Sequence, residues 1–408
     1  MPLTIKLAWR NIFRNKRRTF IAGTAIGIGL AALIFTDALI EGMKTNMIVS
    51  VTSTYLGDGQ IHQSGFRLTY EVDRTIDELD RVVVELGKEP SVETFALRAE
   101  SFGMLTSPAN VSSVMFVGVD PGRERLLSRI EKNIVQGRFF EGADERDMVI
   151  GRDLADLLEV ALGDRVVVTV SQAKSGDLAQ EMFRVSGIYY FNSKEMDQGF
   201  AFVRLPVARR VLNIGDGAHE IALKFKDMSF AIAKDNTFWK RYSTGGNEAL
   251  SWAELLPQLK TVISLTWISL AFMAIVLFGI VAFGIINTLF MSIYERTFEF
   301  GVIRAVGTRP SGVRRLIVFE SGALAVLSIA MGAVLGFLVT LVVSKVGIDY
   351  RGIEFAGTTF YDLLYPTLHL RQFLLYPAAV FIFTLVVGLY PAGVASRMSI
   401  SEALRKSM

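Results

Sequence analysis

Four apolar runs, at residues 19–40, 262–293, 316–343 and 373–390, constrain this chain more than any other feature of it. A hydrocarbon core of ~30 Å takes about 20 apolar residues in a helix, and each run approaches or exceeds that. Inside lipid no water can satisfy a peptide N–H or C=O, so such runs fold as helices that bond internally. Composition agrees: 51% of residues are hydrophobic and 20% charged, too apolar for a soluble chain of 408 residues. Between the first and second runs lies a stretch of ordinary globular composition, residues 42–258, which must fold in water on one side of the bilayer.

Basic residues set the orientation. Lys6, Arg10, Arg14, Lys16, Arg17 and Arg18 precede the first run, with no acid before Asp37. Arg296, Arg304, Arg309, Arg314 and Arg315 mark the connection between the second and third runs, against Glu295 and Glu299. Arg397, Arg405 and Lys406 follow the fourth, against Glu402. Cytoplasmic segments carry the Lys and Arg excess, so both ends and the 295–311 connection are expected inside. A cleavable signal peptide would have a shorter apolar core and small residues at a cleavage site; here the chain continues as EGMKTNM, and an uncleaved span is expected.

The expected order is a cytoplasmic N-terminal amphipathic helix over 1–18, transmembrane helices over 19–41, 259–294, 312–344 and 372–391, a periplasmic α+β domain over 42–258, a cytoplasmic helix over 295–311, a periplasmic loop over 345–371 and a cytoplasmic tail over 392–408. The second run would make a helix of roughly 48 Å, longer than the bilayer, so it should tilt or project. Pro391 is expected to end the fourth helix. In the outer segment GQIHQ, SSVMFVGV, DRVVVTV, FRVSGIYY, AFVRL and EIALKFK read as strands. RTIDELDRVVVELG, RDLADLLEV and PVARRVLNI read as helices, the last with Pro206 in its first turn. An α+β domain of two lobes is expected.

Chemistry is sparse. The absence of cysteine excludes disulfides, thiolate metal sites and a cysteine nucleophile. A balance of 43 Lys and Arg against 40 Asp and Glu argues against a nucleic-acid partner. His62, His219 and His369 lie far apart without metal-ligand spacing, and ordinary surface or sheet positions are expected for them. Ser171 and Lys174 have S-x-x-K spacing, but they fall at a polar, Gly-containing turn where a plain hairpin is the better reading. The sequence has no G-x-S-x-G, H-E-x-x-H or G-x-x-x-x-G-K-[ST]. No catalytic residue, metal site or cofactor of its own is therefore assigned; if the protein works by ATP, another chain must bind that ATP.

Within the spans, Gly23 with Gly27 and Gly332 with Gly336 have the four-residue spacing that lets helices approach closely in lipid. Asp37, Asn287 and Glu320 are polar groups in or near apolar runs, where such residues often carry function. The stretch YERTFEFGVIRAVGTRP sets a short charged helix between two spans. It should run from about Arg296 to Val306, close on Gly307 in a left-handed cap and stop before Pro310, with Ser311 capping the next span. Glu299 and Arg304 would offer charge to a docking surface, with Gly301 and Ala305 on one small face.

NTLFMSIYERTFEFGVIRAVGTRPSGVRRLIVFES resembles the signature of the FtsX/MacB superfamily of ABC transporter permeases, with Asn287, Glu295, Arg296, Glu299, Gly301, Arg304, Ala305, Gly307 and Glu320 in its positions. LAWRNIFRNKRRT, YPAGVASRMSISEALR and GRFFEGADERDMVIGRDLADLLEVALGDRVVVTV resemble its N-terminal helix, terminal motif and periplasmic core, although no proline precedes Glu402. The resemblance implies an α-helical membrane protein of four transmembrane helices with a large MacB-like α+β periplasmic domain between the first and second. It implies a coupling helix over 295–311 seated on an ABC ATPase dimer, an inner-membrane location, and a second permease copy or paralogue.

The length and the entry SWAELLPQLKTVISL look most like the lipoprotein-releasing permeases, which implies lipoprotein cargo extracted from membrane lipids toward a periplasmic carrier. Phe35, Leu39, Met43 and Met47 on the first span, and Val262, Leu265, Ile268 and Phe272 on the second, are candidate walls for acyl chains. Methionines suit walls that must repack. SQAKSGDLAQEM departs from the family's extended carrier-recruiting hairpin by being short, which fits the partner subunit of a heterodimer or another acceptor. Other readings are a MacB-like exporter of small molecules or peptides, and an FtsX-like signal to a cell-wall hydrolase.

Overall fold

The computed structural model describes residues 10, 11, 14, 16–142, 144–232, 237–355, 358–360 and 362–399. Most of the helix expected over 1–18, and the tail from residue 400 with Glu402, Arg405 and Lys406, lie outside the described residues. The chain divides into two compact units, one of residues 1–45, 263–349 and 363–408 and the other of residues 46–262 and 350–362.

Four helices, Lys16–Val51, Pro257–Glu295, Pro310–Val346 and Leu370–Arg397, are long and apolar enough to cross a membrane. Each outruns its apolar run in the sequence. The second, with 39 residues, reaches about 58 Å at ~1.5 Å per residue. The first is central: 56% of its apolar window is buried, against 11%, 22% and 17% for the others. Its residues Ala22, Ile26, Leu30 and Ile34, one every four, form a stripe packed with Val281, Ile285, Leu324 and Val380 from the other three.

The fourth helix corrects one expectation. It runs through Pro377 and Pro391 to Arg397. Proline removes one N–H and crowds the preceding turn, but tertiary packing carries the helix past it. Gly388 lies so close to the third helix that a Cβ there would meet Ser321 Cβ at 2.9 Å, and Ala392 and Ala395 are buried beyond it. The third helix also begins differently: Arg309, not Ser311, is its N-cap residue, and Pro310 occupies the first turn.

The outer unit is built on one ten-stranded sheet, so the two expected lobes share a single hydrogen-bonded platform. Its strands are β1 (Gly59–Gln63), β2 (Val92–Thr106), β3 (Val111–Val119), β4 (Ile134–Gly137), β5 (Asp147–Gly151), β6 (Arg165–Ser171), β7 (Leu178–Tyr189), β8 (Phe200–Arg204), β9 (Glu220–Phe225) and β10 (Asn247–Ser251). The order is β10-β1-β9-β2-β3-β8-β5-β7-β4, with β6 bridging β2 and β7. The 15-residue β2 joins the halves, pairing β9 near its start and β3 and β6 near its end. Helices Arg152–Leu158 and Leu205–Leu212 cover one apolar face through Leu154, Leu158, Leu205 and Leu212. The short turn between β6 and β7 carries Lys174 and Gly176 at positive φ, the plain hairpin expected around Ser171.

A charge cluster fills the middle of this unit. Arg98, fully buried on β2, donates to Glu124 Oε1 at 2.7 Å and Oε2 at 3.1 Å, to Glu220 Oε1 at 2.6 Å, and to the Tyr55 carbonyl at 2.6 Å. His62 Nε2 lies 3.3 Å from the other Glu220 oxygen, and His219 Nδ1 accepts from the Glu100 N–H at 2.9 Å. Both histidines sit on or beside strands as expected, but in the core rather than at the surface.

Burial and the Glu220 carboxylate push Glu100 up to about 8, against the Tyr55 hydroxyl, Arg98 and Arg67. Burial also lowers His219. A carboxyl raised from 4.5 holds a proton that the unfolded chain releases, so its stabilisation is complete below pH ~4.5 and is lost as pH rises through about 8. The stability of the wild type relative to Glu100→Gln should therefore fall by on the order of 2–4 kcal/mol between pH 5 and 8. The opposing trend of His219, lost as pH falls below 6.5, is common to both proteins and cancels. Unfolding monitored by intrinsic fluorescence across that range checks this; parallel curves would refute it.

Candidate functional site

The helix Thr297–Ala305 lies between the second and third long helices, with one turn or less of chain on each side. Thr297, Phe300 and Gly301 face inward, and Phe300 packs with Ile293, Val313, Leu316, Ile317, Ala392 and Ala395 from the ends of three long helices. Gly301 is buried on that face. Gly307, at φ +103°, lets the Thr308 N–H close on the Ile303 carbonyl at 3.2 Å and ends the helix.

Arg296 is the hinge of the arrangement. At 6% exposure it donates from Nε to Glu299 Oε2 at 2.9 Å and from Nη1 to Glu320 Oε1 at 2.6 Å, with its guanidinium 5.1 Å from the Phe300 ring centroid. Asn11 Nδ2 donates to the same Glu320 oxygen at 2.6 Å, and Arg14 Nη1 to Glu299 Oε1 at 2.8 Å. Burial opposes the Arg296 charge, but Glu320 and Glu299 outweigh it and hold the guanidinium above its ordinary pKa. Burial likewise raises Glu299, and Arg296 with Arg14 more than reverse this. Arg296 thus ties the end of the second helix to the short helix and the third helix, and Glu299 and Glu320 extend the network to Arg14 and Asn11 before the first.

The structure redirects the charges expected at a docking face. Glu299, 41% exposed, pairs with Arg296 and Arg14, and Arg304 donates to the carbonyls of Ser396 and Met398 at the end of the fourth helix. Beside the Glu299 carboxylate the helix presents an apolar stripe: Phe298, Val302 and Val306 are 48%, 41% and 84% exposed, with Ala305 exposed next to them. Their spacing of four places them on one stripe, a signal present in the sequence but masked by the neighbouring charges. Glu295 is exposed at the end of the second helix and Gly307 at the cap.

The other candidate positions separate. Phe35, Leu39 and Met43 are half-buried on the first helix, and Leu265, Ile268 and Phe272 are exposed on the second at 50%, 62% and 69%. Val262 is half-buried, but Met47 is covered by its own chain and is not a wall of an open chamber. Asp37 is buried and hydrogen-bonded with Tyr376, Glu320 belongs to the Arg296 clasp, and Asn287 is exposed on the second helix.

Residues 19–233 match the MacB-like periplasmic core domain, and residues 271–400 match the FtsX-like permease C-terminal region. Lipoprotein-releasing system transmembrane protein LolC of Xylella fastidiosa is 21% identical over 421 residues, covering 99% of both chains. Lipoprotein-releasing system transmembrane protein LolE of Haemophilus influenzae is 21% identical, covering 98% of both. Pyoverdine export ATP-binding/permease protein PvdT of Pseudomonas savastanoi pv. phaseolicola is 25% identical over 86% of this chain and 54% of that one. With a helix between spans clasped by Arg296 and an outer domain of that family, the chain belongs to the FtsX/MacB family and is a membrane-spanning ABC transporter permease.

Proposed function

We propose that this chain is the permease subunit of a lipoprotein-releasing transporter in a bacterial inner membrane. A separate ABC ATPase dimer, holding ATP and Mg, seats on the helix Thr297–Ala305, which acts as the coupling helix. The observation that carries this reading is the exposed apolar stripe of Phe298, Val302 and Val306 on a helix whose opposite side is locked by Arg296. Such a helix transmits force, because the clasp moves the second and third spans with it.

Lipoprotein cargo is favoured over a smaller exported molecule by likeness to LolC along 99% of both chains. The physical demand is severe. At about 0.8 kcal/mol per buried CH₂, an acyl chain of ~15 methylenes costs roughly 12 kcal/mol to bring into water. The exposed Leu265, Ile268 and Phe272 and the half-buried Phe35, Leu39 and Met43 give the chain apolar walls to offer, completed by a second permease copy or paralogue. The acceptor is a periplasmic carrier. An exporter role is the second reading, supported by the likeness to PvdT.

Val306→Glu is expected to abolish co-purification of the ATPase, by roughly tenfold or more, since it buries a carboxylate in the apolar contact. Membrane insertion should be unchanged because the residue is 84% exposed in the free chain. Pull-down from solubilised membranes, followed by identification of bound lipoprotein, checks both parts. Undiminished ATPase capture would sink the docking assignment.

A further inference from the structure

We infer that the outer unit carries a binding site for a small organic cation with an apolar body, in a cavity of about 270 Å³ floored by Tyr55, Glu100 and Glu220 and walled by Met115, Met196 and Phe200. The inference is independent of the ATPase and cargo assignments above.

The first argument is charge. Among the described residues Arg98 is spent on Glu124, through two contacts, and on Glu220. Glu100, 4% exposed and lining the same cavity, receives the Tyr55 hydroxyl, and no ion pair reaches it among those residues. The cavity is lined by Glu100, Glu195 and Glu220 against Arg67, whose Nη1 is engaged by Gln60 Oε1 at 2.8 Å. With three carboxyls and one guanidinium lining the cavity, a buried carboxyl there must keep a proton or receive a positive ligand. An anion would meet the Glu220 and Glu195 carboxylates, which disfavours its binding.

The second argument is the wall. Aromatic faces attract cations, and methionine repacks around irregular shapes. Tyr55, Tyr70 and Phe200 supply rings, with Tyr55 and Phe200 centroids 5.2 Å apart. This is the lining of a site for an alkyl or aryl ammonium. It is a poor lining for a metal ion, which wants several hard oxygen ligands, and among the described residues no group of three His, Asp or Glu is placed to hold one. The volume lies just below the ~300–1,000 Å³ range of drug-sized ligand pockets, so the body is a single ring or a short chain.

Calorimetric titration of the full-length permease in phosphatidylglycerol nanodiscs with phenethylamine, 2-phenylethanol and 3-phenylpropionate tests the site. Phenethylammonium should bind saturably, at least about tenfold tighter than the alcohol, and the carboxylate should not bind. At pH 7 binding should release a proton from Glu100, which is faced by Tyr55, Arg67, Arg98, Glu195 and Glu220; heats that differ between buffers of different ionisation enthalpy report it. Glu100→Gln should lose about tenfold in affinity. Gln258→Trp, at an exposed lining residue, should block the cavity without touching the core. Equal binding of ammonium and alcohol, or wild-type affinity in both variants, overturns the proposal. Adding phosphatidylethanolamine separates the sources: a weaker apparent affinity assigns a lipid ammonium headgroup, and an unchanged one a soluble amine.

Discussion

Arg296→Ala is expected to cut ATP-driven transport by roughly tenfold or more and to lower the stability of the membrane unit by about 3–5 kcal/mol. The cost arises from what the substitution leaves behind. Glu320 is 6% exposed and, among the described residues, keeps only Asn11 as a donor once the 2.6 Å contact is gone, and Glu299 keeps Arg14. An uncompensated buried carboxylate is worth more than the pair was. The double replacement Arg296→Met with Glu320→Leu should therefore be more stable than the single, because no orphaned charge remains. Transport should stay low in both, since the short helix is no longer held to the third span. Thermal midpoints together with the ratio of transport to ATP hydrolysis separate these outcomes. A double variant no more stable than the single would refute the energetic account, and full transport in Arg296→Ala would refute the mechanical one.

Gly332→Leu is expected to prevent the membrane unit from packing at all. A Cβ on Gly332 would meet Gly27 Cα at 2.9 Å and Leu30 Cβ at 3.0 Å, and one on Gly27 would meet Ser328 O at 3.1 Å. The first and third helices touch backbone to backbone here, and in lipid such close approach is the main source of helix association. Overpacking typically costs 1–3 kcal/mol, and a leucine against main chain, which cannot rotate away, should exceed that range. The wedge would also separate Gly336 from Ala31, where a Cβ would lie 3.1 Å from Ala31 Cα. Gly23→Ala is the control. Its Cβ meets only Ser328 Oγ, at 3.5 Å, and Met331 Sδ, at 3.9 Å, both ordinary contacts. Yield of monodisperse protein after solubilisation should be near wild type for Gly23→Ala and close to nil for Gly332→Leu. Similar yields would show that the glycine contact does not hold the bundle.

The two glycine pairs mark the limit of what spacing can reveal. G-x-x-x-G at 23 and 27 states that some helix can approach, but not that Gly27 is used closely and Gly23 loosely. The charged stretch behaves likewise. Its helix and its Gly307 cap were legible, because local backbone preferences decide them, whereas Arg296 was singled out only by the family resemblance. The direction of Glu299 and Arg304 was not, since it depends on Arg14, Glu320 and the carbonyl of Met398, distant in the chain. The strand β2 escaped notice because its burial does not alternate: it is covered on both faces along part of its length. Met47 and Pro391 were misplaced for a related reason, as packing buried one and carried a helix through the other.

By itself the sequence determined the four long helices, the outer α+β domain and the short helix between the second and third spans. Lipid leaves an apolar run no alternative to internal hydrogen bonding, and a glycine at positive φ ends a helix wherever it stands. Only the tertiary structure decided which charges turn inward, which apolar stripe remains for a partner, and that Glu100 faces a cavity. Those outcomes depend on desolvation and on pairing between residues up to several hundred positions apart, quantities that no local pattern contains.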